Sequence, residues 1–152
     1  MRRRSKRCSG RSESGPPPGY DGSACANAAL TAAVESAKAY GDGIVVAFGA
    51  GVRPTPTAED SDRQKLVRQM GGDWAEEALS AIRTQGVEDA QAVVVDARPA
   101  EALLQVASER QARMIVVGTH GERPLTGAVL GSVPHSLLHL SRVPVLVVPV
   151  LP

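Results

Sequence analysis

Aromatic residues are nearly missing from this chain of 152 residues, which has one Phe, one Trp and two Tyr. Its interior must therefore be aliphatic, and the length suits one domain with a true hydrophobic core. Cysteine is also sparse. Cys8 and Cys25 stand alone, with no C-x-x-C and no metal-ligand spacing. That pattern excludes a disulfide framework and a zinc module, and it suits a reducing, cytoplasmic setting. No apolar run approaches the ~20 residues of a membrane helix, and no apolar segment backs the charged N-terminus as in a secretory leader. A Walker A lysine loop, a G-x-G-x-x-G fingerprint and a G-x-S-x-G elbow are all absent. Their absence argues against P-loop, dinucleotide and serine-hydrolase chemistry.

Charge of one sign is lacking overall but not locally. The net charge of +1 hides a tail, residues 1–13, with six basic side chains against Glu13, so the remainder carries −4. The body has no basic face of the kind nucleic acid requires. Residues 1–14 are polar and charged, with nothing apolar to bury, and are expected to lack regular structure. A Pro-rich stretch, Ser14 to Gly19, follows them. The domain division expected is a basic, Pro-rich tail over 1–18 and a folded unit over 19–152.

Within that unit, apolar residues Leu30, Ala33, Val34 and Ala37 recur at helical spacing between Ser23 and Tyr40, with Gly41 as a stop. The β-branched run Ile44–Phe48 reads as a strand. A second helix spans Ser61–Gln85, with Val67, Met70, Trp74, Ala78 and Ile82 on one face and a break or kink at Gly71-Gly72. Strands at Ala92–Val95 and Met114–Val117 bracket a helix opened by Pro99. A last helix, Ser132–Leu140, has Ser132 as its N-cap. A final strand, Val143–Val150, is interrupted by prolines. Strands alternating with helices imply an open, mostly parallel α/β sheet with helices on both faces.

What is present in quantity is glycine, 15 residues, and its placement is informative. Gly118 and Gly121 follow the buried strand Met114–Val117, and Gly131-Ser132 open the last helix. A strand, a glycine-rich loop and a helix N-terminus together supply backbone N–H groups and a favourable dipole for a phosphate.

The spacing G-x2-G-x9-G-[ST] at Gly118, Gly121, Gly131 and Ser132 resembles the nucleotide signature of the universal stress protein family. The resemblance covers about residues 20–150. It implies a five-stranded Rossmann-like sheet in the order 3-2-1-4-5, binding ATP, with or without Mg2+, where the strand order reverses. Tyr20-Asp21-Gly22-Ser23 looks like the family's acidic turn, which places Asp21 beside the adenosine. Phe48 matches the position whose backbone meets adenine. Val143–Val150 matches the closing strand, so a homodimer through that strand is expected. The chain departs from the family where strand one should lie: Pro16-Pro17-Pro18 supply no N–H donors and cannot serve as an ordinary central strand. Family-like sequence starts abruptly at Gly19, so an upstream frameshift or misplaced start is expected.

Other chemistry is thin. His120 lies inside the glycine loop, where a solvent-exposed histidine is the simpler reading. His135 and His139 share a helix face, with no carboxylate or cysteine nearby in sequence to complete a zinc site. Arg123 could lie near phosphate or be a solvated loop charge. No catalytic residue is assigned. The function implied is a stress-response regulatory domain that binds ATP without strong catalysis, and neither nucleic acid nor membrane is expected as a partner. The alternatives are an interaction module whose pocket was lost with strand one, and a weak ATP hydrolase.

Overall fold

The computed structural model describes residues 7–10, 24–49, 58–119 and 130–150. Five parallel strands and four helices alternate along them: β1 (Arg7–Gly10), α1 (Ala24–Tyr40), β2 (Ile44–Gly49), α2 (Ala58–Thr84), β3 (Ala90–Val95), α3 (Pro99–Glu109), β4 (Ile115–Gly118), α4 (Ser132–Leu140) and β5 (Val145–Val148). The strands lie side by side in the order β3-β2-β1-β4-β5.

The helices cover both faces of this sheet. Alternate residues of one strand point to opposite faces, so β2 and β4 each contribute to two cores. On one face Ile44, Val46 and Val116 pack with Leu30, Ala33, Val34 and Ala37 of α1 and Ala78 and Ile82 of α2. On the other, Val45, Ala47, Ile115 and Val117 pack with Leu103, Val106 and Ala107 of α3 and Val133 and Leu137 of α4. Both cores are almost wholly aliphatic, as the scarcity of aromatics requires. The Phe48 and Trp74 rings, 6.5 Å apart, meet at the edge of the first.

Three expectations need correction. First, the sequence implies a central strand degraded at Pro16–Pro18, residues that lie outside those described. Arg7–Gly10 fills that slot, inside the basic tail read as lacking regular structure, and pairs with β2 (Cys8 with Val45) and β4 (Cys8 with Ile115). Backbone pairing on both sides holds a strand whose sequence, Arg-Cys-Ser-Gly, carries no β-branched signal. Second, Gly71-Gly72 do not break α2, which runs unbroken for 27 residues. Each helical glycine costs only about 1 kcal/mol, less than the packing of the inner face returns. On that face Ala78 and Ile82 are buried and Trp74 half-buried, while the side chains of Val67 and Met70 lie outside the described residues. Third, β5 is shorter than Val143–Val150, because Pro144 and Pro149 flank it and lack the donor a strand needs.

The opposite end of the sheet, where β2 and β4 begin, is tied by an ion pair. Arg113, before β4, places Nε 2.8 Å from Asp42 Oδ2, before β2, and the Asp42 side chain is only 5% exposed. The same guanidinium lies over the Tyr40 ring at 4.7 Å. Its hydrogen bond to Asp42 holds the Arg113 pKa above the ordinary arginine value, against a smaller opposing effect of burial.

Candidate functional site

All five strands run the same way, so their C-terminal ends share one edge of the sheet. The chain steps from β1 to β2 and β3 on one side, and reaches β4 and β5 on the other. In open α/β sheets the ligand crevice lies at such a reversal, here the one between β1 and β4.

Three residues of the glycine motif, Gly118, Gly131 and Ser132, converge there. Thr119, just past β4, donates its N–H to Val148 O at 3.2 Å, and Gly131 donates its own to Thr119 O at 2.8 Å. The second bond closes the base of the intervening loop. It brings Gly118 and Thr119 beside Gly131 and Ser132, though they stand a dozen positions apart in sequence. Gly121 and His120 lie outside the described residues, as do Arg123 and Asp21.

Two glycines of the motif differ in their surroundings. A Cβ on Gly118 would lie 3.1 Å from both Cβ and O of Cys25, so this position is small because the first turn of α1 crosses it. Gly131 has φ −61° and ψ 162°, backbone that any residue adopts. Conformation therefore does not demand a glycine there.

Gly131, not Ser132, is the N-cap of α4, and no side chain caps this end. Ser132 is the first helical residue and is exposed. Pro134 occupies the third position, where its missing N–H costs no helical bond. His135 N–H is already bonded to Gly131 O at 3.1 Å. Among the described residues, the first-turn N–H groups of Ser132 and Val133 have no backbone acceptor.

Phe48 is the penultimate residue of β2, where its backbone is paired with Val94. Its side chain packs on the α1/α2 core. One strand, β1, separates it from β4, so the structure sets it along the same edge as Gly118 but not against it. Gly49 was not singled out in the sequence. A Cβ there would lie 2.7 Å from Pro99 N and Cα and 2.8 Å from Ala97 O. The end of β2 and the turn into α3 thus pack backbone to backbone along this edge. The signal available was a glycine directly after a buried strand, followed by a Pro-opened helix downstream.

An open parallel α/β sheet covered by helices on both faces defines a domain of the doubly wound class. A sequence model of the universal stress protein family matches residues 18–149. The chain belongs to that family. A universal stress protein of Mycobacterium tuberculosis is 51% identical over 55 residues, a stretch that covers 36% of this chain and 18% of the relative's length. One from Thermus aquaticus is 32% identical over 130 residues, 85% of this chain and 93% of the relative. Among solved structures, a universal stress protein in complex with cAMP superposes with a TM-score of 0.68 at 24% identity, covering 94% of this chain and 96% of the other. The universal stress protein of Archaeoglobus fulgidus in complex with dAMP gives 0.62 at 19% identity, covering 97% and 99%. At such identities these two show a shared fold. Strand β1 precedes the family-matched residues.

Proposed function

We propose that this protein is a nucleotide-binding regulatory domain that holds ATP, with or without Mg2+, and acts through its occupied state rather than through turnover. The observation that carries the reading is the closed base of the loop. The Gly131–Thr119 bond gathers Gly118, Gly131 and Ser132 at the strand-order reversal, beside two helix N–H groups that have no acceptor among the described residues. Adenine nucleotides in the structures of two relatives support the ligand class. In this reading the phosphates lie over Gly118–Ser132, with Gly121 in the same cradle, and the base lies towards Asp21 and the backbone of Phe48.

The protein acts as a homodimer through residues 143–150. Among the described residues β5 pairs with β4 alone, so its outer N–H and C=O groups meet no described strand, and Leu146 is 37% exposed on it. An apolar edge strand of this kind needs covering, and a two-fold mate covers backbone and side chains together. The interaction-only alternative rested on a missing central strand, and β1 now stands in that slot. Weak ATP hydrolysis remains compatible with the binding reading.

Titration with a fluorescent ATP analogue, with and without Mg2+, tests this. Gly121→Val and Gly131→Val should weaken binding by crowding the phosphate cradle, while His139→Ala should not. Equal affinity in all three variants would overturn the assigned loop.

A further inference from the structure

The exposed face of α4 carries a feature that nucleotide binding does not use. His135 and His139 stand one turn apart, both exposed, with ring centroids 4.8 Å apart and planes inclined at 59°. Side chains four positions apart on a helix lie on one face, one above the other. Two imidazoles so placed can each turn one nitrogen towards a common point outside the helix. Among the described residues, no cluster of three or more His, Cys, Asp or Glu could hold a metal. Among the described residues the pair thus offers two nitrogen ligands, with the remaining coordination positions open to water.

We propose that His135 and His139 form a bidentate surface site for a divalent transition metal, with Cu2+ bound in preference to Zn2+. Imidazole nitrogen suits both ions. Structural zinc, however, asks for four protein ligands in a closed tetrahedron. A two-nitrogen site open to water suits the tetragonal N,O geometry of Cu2+, which also stands highest in the affinity order of the first-row divalent ions. The metal would bridge consecutive turns of a nine-residue helix, too short to be stable without its tertiary packing. Binding should thus stabilise α4, in the same helix whose N-terminus faces the crevice. The site stands whether or not that crevice holds nucleotide.

The test is a calorimetric titration of full-length protein, free of any histidine tag, with Cu2+ in a non-chelating buffer. Electron paramagnetic resonance spectra are recorded at one equivalent. One Cu2+ per chain should bind, with a spectrum showing nitrogen ligation. The thermal midpoint should rise with metal concentration. His135→Ala and His139→Ala should each weaken the site by about tenfold or more, at least what loss of an outer-shell partner costs. Zn2+ should bind more weakly than Cu2+. Binding should fade in acid, because a protonated imidazole cannot ligate. Copper bound equally well by the double variant His135→Ala/His139→Ala, or by wild type with no nitrogen signature, would overturn the assignment. Fluorescent-ATP binding that fails while this site persists would count against the nucleotide reading alone.

Discussion

At the scale of single residues, glycines that look alike in the sequence have opposite roles. Gly41 and Gly72 both have open space where a Cβ would go, but Gly41 has φ +64° and Gly72 does not adopt a positive φ. Gly41→Ala should therefore cost about 1–2 kcal/mol through left-handed strain. Gly72→Ala, inside α2, should add about 0.5–1 kcal/mol by removing backbone freedom from the unfolded chain. Urea unfolding midpoints check both signs. Gly49 is a third case, since its Cβ would meet the backbone of Pro99, which cannot yield as a flexible side chain would. Gly49→Ala should destabilise by about 1–3 kcal/mol and move the turn into α3. The motif's glycines were legible in sequence as a set, but their separate reasons were not. Gly118 is explained only by Cys25, which lies far off in sequence.

Among the elements, the four helices and strands β2 to β4 were legible because aliphatic periodicity and β-branched runs carry their signal locally. β1 was not. Four residues without an apolar pattern become a strand only because β2 and β4 present backbone on either side, a tertiary effect that no local window contains. The cap of α4 was misplaced by one residue, because Ser132 is a good N-cap by type while the Gly131 carbonyl is what starts the helix bonding. Strand β5 supplies the prediction at this scale. Val145→Lys with Val147→Lys should yield monomer or aggregate, as charge on an edge strand opposes pairing. Light scattering decides it, and a monomeric unmodified protein at high concentration would refute the interface.

For the whole molecule, the two ends of the sheet divide the work. Asp42 and Arg113 join the loops before β2 and β4, on either side of β1, at the end away from the crevice. Because the guanidinium pKa is raised in the folded state, the stability it confers is complete below the ordinary arginine value. It is lost only as pH climbs past that value, far into the alkaline range. Arg113→Gln should therefore lower the thermal midpoint by the same amount across neutral pH, and by less in high salt, since the arginine side is largely open to solvent. A difference that vanished as pH rose through neutrality would show that another group carries it.

The opposite end bears the central claim, that phosphate is held by the closed loop and the start of α4. The most direct measurement is an ATP titration of isotopically labelled protein followed through amide resonances. The N–H signals of Ser132 and Val133 should shift with ATP and much less with adenosine, since the phosphates make those contacts. Those of His139 and Leu140, at the far end of the same helix, should stay in place. Saturable ATP binding that leaves Ser132 and Val133 unmoved would contradict the account.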